Sequence, residues 1–123
     1  MAQRSLPVGI DDLSLYVPGI YLDIRALAEA RQIPYEKLSQ GLGLQRMALP
    51  DAGEDAATMA AEAVAELIER NQIDPRRIGR LYLGTESALD GAKPTATYAI
   101  GMLQARFAAR YGDDCFRQCD VLD

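Results

Sequence analysis

One carboxylate stands out as a group that could do chemistry. Glu86 follows the short apolar run Leu81-Tyr82-Leu83 and sits between Thr85 and Ser87. In open α/β sheets, ligand crevices form beyond the carboxyl ends of the strands. A carboxylate held there among small residues is partly desolvated, which raises its pKa and suits it to general acid or base work. The same residue could instead cap the following turn or pair with Lys93, and the residue types alone leave the two roles open.

The other chemical groups are few. The sequence has two cysteines, Cys115 and Cys119, and no histidine. Two cysteines do not make a disulfide scaffold. A zinc site needs more nitrogen and sulfur ligands than this sequence offers, so no metal is expected. Any histidine-dependent step must come from outside these residues. Asp90 and Lys93 flank the loop after Glu86 and are placed to pair across it. Tyr82 reads as core because it lies inside an apolar strand; Tyr98, on the helix that follows, could face the site or the core, and the core is the preferred assignment. Gly41 and Gly43 do not form a phosphate cradle, because no GxGxxG or P-loop pattern follows a strand here.

These groups need a scaffold, and the 123 residues are enough for one domain or a piece of one. Apolar residues at 49% and charged residues at 25% match a soluble globular chain that can bury a core. No apolar run approaches the roughly 20 residues of a membrane helix. Residues 1–7 lack the apolar core and cleavage site of a secretory signal, so a cytoplasmic location away from membranes is expected. The net charge of −5 and the scattered Lys and Arg argue against nucleic acid. The densest basic group, Arg76, Arg77 and Arg80, reads as a solvated turn.

Periodicity supplies the elements. Val8 and Ile10 share one phase and Leu13, Leu15 and Val17 the other, which predicts a first strand over 8–17 with a bulge or bend at Asp11-Asp12. Pro18-Gly19 breaks it. Asp23 caps a short helix with Ile24, Leu27 and Ala28 inward and an Arg25–Glu29 pair outside. Pro34 starts a second helical piece, PYEKLSQ, which Gly41 ends; a compact loop or short strand follows over 41–47. The strongest helix is predicted over 54–71, with Ala60, Val64, Leu67 and Ile68 on the buried face. Residues 78–85 read as a buried parallel strand, residues 95–110 as a helix ended by Gly112, and residues 119–123 as the opening of another strand. Alternating strands and helices with long connections predict an α/β sheet, and the unfinished last strand is what a piece of a larger fold would show.

Three blocks carry a family resemblance: VGIDDLSLYVPGIYLDIRALAEAR, GLGLQRMALPDAGEDAATMAAEA and IGRLYLGTESALDGAKPTATY. In this order and spacing they resemble the start of the hydroxymethylglutaryl-CoA synthases, over roughly residues 8–105. The resemblance implies a thiolase-like layered α/β fold of which residues 1–123 are the N-terminal half only, an incomplete sheet with flanking helices. It implies condensation of acetyl-CoA with acetoacetyl-CoA to 3-hydroxy-3-methylglutaryl-CoA in the mevalonate route, by a homodimer that uses CoA thioesters as substrates and no cofactor.

Within that family the glutamate of the GTES-type block is the general acid/base, which maps onto Glu86. The family's nucleophile is a cysteine opening a helix just after a strand. Cys119 is followed by the strand-like Asp-Val-Leu-Asp, so both cysteines read as structural thiols, and the nucleophile and the catalytic histidine are expected beyond Asp123. Pro34, Tyr35 and Lys37 align with a place where the family touches CoA, with Lys37 facing a phosphate as a point charge or standing as an ordinary solvated lysine. Relatives often carry an acid where this chain has Pro34. Arg46 is a weaker candidate for the same contact. Two further readings stand beside the synthase: a relative acting on carrier-protein thioesters in polyketide β-branching, and a non-catalytic fragment, degenerate paralogue or split-subunit partner, inactive and prone to associate alone.

Overall fold

The computed structural model describes residues 7–122. It begins with a segment, Pro7–Gly19, that forms no strand ladder. The predicted strand over 8–17, and with it the predicted bulge, is therefore absent. The physical reason is visible in its partners. Asp12 accepts hydrogen bonds from Arg70 and Asn71, the Ser14 hydroxyl donates to the Ala63 carbonyl, and the Tyr16 hydroxyl meets Glu54. Asp12, Ser14 and Tyr16 thus face one long helix and the turn before it, and the odd-numbered Leu13, Leu15 and Val17 point to solvent. The segment is a strap whose direction opposes that of the helix beneath it.

A small antiparallel pair comes next. β1 (Ile20–Asp23) pairs with β2 (Arg46–Leu49) in the register Ile20↔Leu49 and Asp23↔Arg46. Between them lie α1 (Ile24–Ala30) and α2 (Tyr35–Ser39). Asp23 caps α1 by accepting from the Arg25 and Ala26 N–H groups, as its position before an apolar repeat predicts. Ile24 and Ala28 are buried and Leu27 half-buried. α2 stops at Gly41, where an added Cβ would stand 2.4 Å from the Lys37 carbonyl oxygen. Any other residue there would push the turn apart.

The core lies between α3 (Ala56–Asn71) and α4 (Thr95–Tyr111). α3 opens with a reciprocal cap in which Asp55 accepts from the Thr58 N–H and the Thr58 hydroxyl oxygen accepts from the Asp55 N–H. Its buried stripe is Ala57, Ala61, Ala65 and Ile68, with Ala60 and Val64 at the margin. The stripe is thus rotated from the predicted one, which included Ile68 but centred on Ala60 and Val64. The small alanines let α4 approach closely, and α4 answers with Ala96, Ala99, Leu103 and Phe107. Arg106 bridges Glu62 and Glu69 across the outside of the pair.

α3 leads through a 3-10 turn at Pro75–Arg77 into β3 (Arg80–Tyr82), and α4 leads through Gly112, at φ +95°, into β4 (Asp120–Leu122). The two strands pair in parallel, Arg80↔Asp120 to Tyr82↔Leu122. β3–α4–β4 is therefore a strand–helix–strand crossover of the expected kind. β3 is shorter and more open than the predicted buried strand, with Leu81 half-buried and Tyr82 62% exposed. The assignment of Tyr82 to the core is corrected accordingly: one face of the strand packs on the helices, and Tyr82 points to the other. No helix among the described residues is long and apolar enough to cross a membrane.

Candidate active-site loop

β3 delivers the chain to the loop that carries Glu86. The Leu83 N–H still bonds to the Leu122 carbonyl at 2.9 Å, extending the parallel ladder by one rung. The Thr85 hydroxyl oxygen then accepts from the Ser87 N–H at 3.0 Å, a side-chain turn that folds the backbone around Glu86. The next anchor is the Leu89 N–H, which reaches the Thr95 hydroxyl at 3.4 Å. Glu86 therefore stands midway between two points tied to β4 and to α4, just past the carboxyl end of β3. Its side chain is exposed, so the described residues do not supply the close burial that the sequence suggests.

The loop closes through Asp90. One carboxylate oxygen accepts from the Ala92 and Lys93 N–H groups at 2.9 and 3.2 Å, and the other accepts from the Tyr98 hydroxyl at 3.2 Å. These bonds hold the Asp90 carboxyl below its usual range, the backbone donors first and Tyr98 after them. The Lys93 ammonium lies 4.0 Å from the centre of the Tyr98 ring, a cation–π contact. Asp90 and Lys93 thus meet through the backbone and through Tyr98, in place of a simple side-chain pair. Tyr98 is half-buried against this loop, which corrects its assignment to the core; desolvation and then Asp90 raise its pKa. The Asp90-Gly91 pair, a turn signal, followed eight residues after Asp90 by a tyrosine in the first turn of a helix, was the sequence sign of this clamp.

The other candidates lie elsewhere. Tyr35 and Lys37 are in α2, whose packing partner is α1, and Pro34 occupies its N-cap position without a side-chain cap. Arg25 lies over the Tyr35 ring at 4.1 Å, and Arg46 over Tyr21 at 4.6 Å. Lys37 is exposed. No hydrogen bond or ion pair among the described residues joins Pro34, Tyr35 or Lys37 to Glu86.

Cys115 is fully buried, next to Phe116, in the α3–α4 core, and burial raises its thiol pKa. It also borders a cavity of about 490 Å³ lined by Arg76, Asp114, Arg117 and Gln118. Cys119 precedes β4, and burial followed by the nearby Asp120 raises its pKa. In the parallel register Cys119 is at the amino end of the strands, whereas Glu86 lies beyond the carboxyl end. At about 3.3 Å per residue the three-residue strands keep the thiol and the carboxylate on opposite rims. Neither cysteine is a partner for Glu86.

Comparison with known proteins identifies the family. The sequence model of the family described as "Hydroxymethylglutaryl-coenzyme A synthase N terminal" matches residues 4–115. The chain belongs to the hydroxymethylglutaryl-CoA synthase family. It is 39% identical to the Haloferax volcanii hydroxymethylglutaryl-CoA synthase over 98 residues, covering 79% of this chain and 22% of that protein. Among solved structures, "MvaS in complex with 3-hydroxy-3-methylglutaryl coenzyme A" is 45% identical with a TM-score of 0.73, covering 78% of this chain and 23% of the other. The "Curacin Biosynthetic Pathway HMG Synthase in Complex with Acetyl Donor-ACP" is 28% identical with a TM-score of 0.72, covering 92% and 25%. The fold is thus the thiolase-like α/β fold of this synthase family, and the described part of it holds mixed helices and small, incomplete sheets. The chain spans about a fifth to a third of the length of the curated relatives it matches.

Proposed function

We propose that this chain is the N-terminal part of one synthase domain that condenses acetyl-CoA with acetoacetyl-CoA to 3-hydroxy-3-methylglutaryl-CoA, with Glu86 as its general acid/base. The observation that carries the reading is the placement of Glu86 on a braced loop at the carboxyl end of β3. There the parallel register also brings the carboxyl end of β4 alongside, so two strand ends open onto one rim.

In this reading a thiolate outside residues 1–123 attacks the acetyl-CoA carbonyl, and the CoA thiol departs. Glu86 takes a proton from the methyl group of the enzyme-bound acetyl thioester, and the enolate adds to the ketone of acetoacetyl-CoA. Water then hydrolyses the enzyme thioester. Thiol and histidine come from outside because Cys115 is in the core, Cys119 is on the opposite rim and the sequence has no histidine. Lys37, Tyr35 and Pro34 contribute to CoA binding from α2, the working protein is a cytoplasmic homodimer, and the chemistry uses CoA thioesters without a cofactor.

The relative structure with a carrier protein favours a second reading, in which the acyl groups arrive on carrier proteins. The higher identity to the structure holding 3-hydroxy-3-methylglutaryl-CoA supports the CoA reading. A non-catalytic chain is the third, favoured by the absence of an available thiol and of any histidine within these residues.

The test uses the protein at its full encoded length. Mass spectrometry after incubation with acetyl-CoA should show one acetyl adduct on a thiol other than Cys115 or Cys119. Glu86→Gln should retain the adduct and lose about 100- to 10,000-fold in condensation, the usual worth of a positioned acid/base. Absence of any adduct with acetyl-CoA, or full activity in Glu86→Gln, sinks the proposal; an adduct formed only from an acyl carrier protein establishes the second reading.

A further inference from the structure

Resting on the assignment of Glu86 as acid/base, we propose that Tyr98 is its positioning residue: the Tyr98 hydroxyl, through Asp90, fixes the Glu86 loop to the first turn of α4.

The loop has a rigid entry and a rigid exit. At the entry the Leu83 N–H is bound to β4, and the Thr85 hydroxyl folds the chain at Glu86. At the exit Asp90 organises its own turn through two backbone N–H groups. Those two bonds shape the turn but do not tie it to anything. Among the described residues, the hydrogen bonds that tie it to the helix include the long Leu89–Thr95 bond at 3.4 Å and the Tyr98–Asp90 bond at 3.2 Å. Only the second ends on a carboxylate, and hydrogen bonds to ionised acceptors are the stronger kind. The Lys93 ammonium, 4.0 Å from the Tyr98 ring centre, holds the same ring from the loop side. Tyr98 thus meets both Asp90 and Lys93, on either side of Gly91-Ala92. Without its hydroxyl the turn keeps its shape and the loop loses its charged tether, so Glu86 loses a fixed distance to the reacting methyl group. Small misplacements of a catalytic group are costly, on the order of 100-fold per ångström.

The experiment compares Tyr98→Phe, Glu86→Gln and the double variant in the full-length enzyme. Phenylalanine keeps the ring and its contact with Lys93 while removing the hydroxyl. Tyr98→Phe should lower kcat about tenfold, with KM for both thioesters, the yield of acetyl adduct and the melting temperature unchanged. In the Glu86→Gln background the same change should have no further effect, because there is no longer a carboxylate to position. Three outcomes overturn the inference alone: wild-type kcat in Tyr98→Phe with a crippled Glu86→Gln, parallel loss of adduct and melting temperature in Tyr98→Phe, or full additivity in the double variant. Wild-type turnover in Glu86→Gln overturns the underlying assignment.

Discussion

Arg70 on α3 holds Asp12 at 2.7 Å, and Asn71 donates to the same carboxylate oxygen at 2.6 Å. The same Arg70 nitrogen, Nη2, also donates to the Leu13 carbonyl. The Asn71 bond first, and Arg70 after it, lower the Asp12 pKa from 3.8 to about 2. A carboxyl whose folded pKa is below its unfolded value stabilises fully above the unfolded value and loses that contribution as pH falls through the folded one. The strap over α3 should therefore come loose between about pH 4 and 2. Side-chain NMR of Arg70 Nε should follow a titration in that window, and Asp12→Asn should abolish it. A flat Arg70 signal across the window would refute this account of the strap.

Ile68 and Leu103 fill the interface of α3 and α4 at 2% and 1% exposure. Replacing either by alanine should cost about 2–5 kcal/mol, because transfer energy is lost and a cavity is left. Leu122→Ala, at a residue 53% exposed, should change stability by less than about 0.5 kcal/mol. Urea unfolding reports both through the midpoint at constant slope. Equal losses at Ile68 and Leu122 would place the core elsewhere.

The two thiols should react at different rates. Cys115 is fully buried and Cys119 half-buried, and burial raises the pKa of each. The thiolate is the reacting species, so iodoacetamide at pH 8 should modify Cys119 first. Cys115 should be modified only as fast as the core opens. Peptide mass mapping over time distinguishes the two, and simultaneous labelling in the folded chain would contradict the burial of Cys115.

The helices were legible because their signals are local. Asp23 before Ile24 and Gly112 after a long periodic run fix ends through caps whose chemistry acts within a turn, whereas the start of α3 was placed two residues early because the Asp55–Thr58 cap went unread. The position of Glu86 after a strand was equally local. The error over 8–17 had a different origin. Alternation reports which side chains point the same way, and it was present, but it does not say whether the backbone meets a strand or a helix. Here the even-numbered side chains found Arg70, Asn71 and the Ala63 carbonyl. The β1–β2 pair was only half seen because its partners are separated by two helices. Tyr82 and Tyr98 were both misplaced: an aromatic ring suits a core and a surface brace alike, and only its neighbours decide.

The alternation in the strap makes it intolerant of a change in length. One residue inserted or deleted between Gly9 and Asp12 leaves these contacts in phase, since no described residue before Asp12 is paired in a strand ladder. One residue gained or lost between Asp12 and Tyr16 would exchange the two sets of side chains. Leu13 and Leu15 would then meet the charged flank of α3, and the serine and tyrosine would turn outward with no acceptor. For this stretch, chain length is under stronger constraint than the identity of any single residue in it.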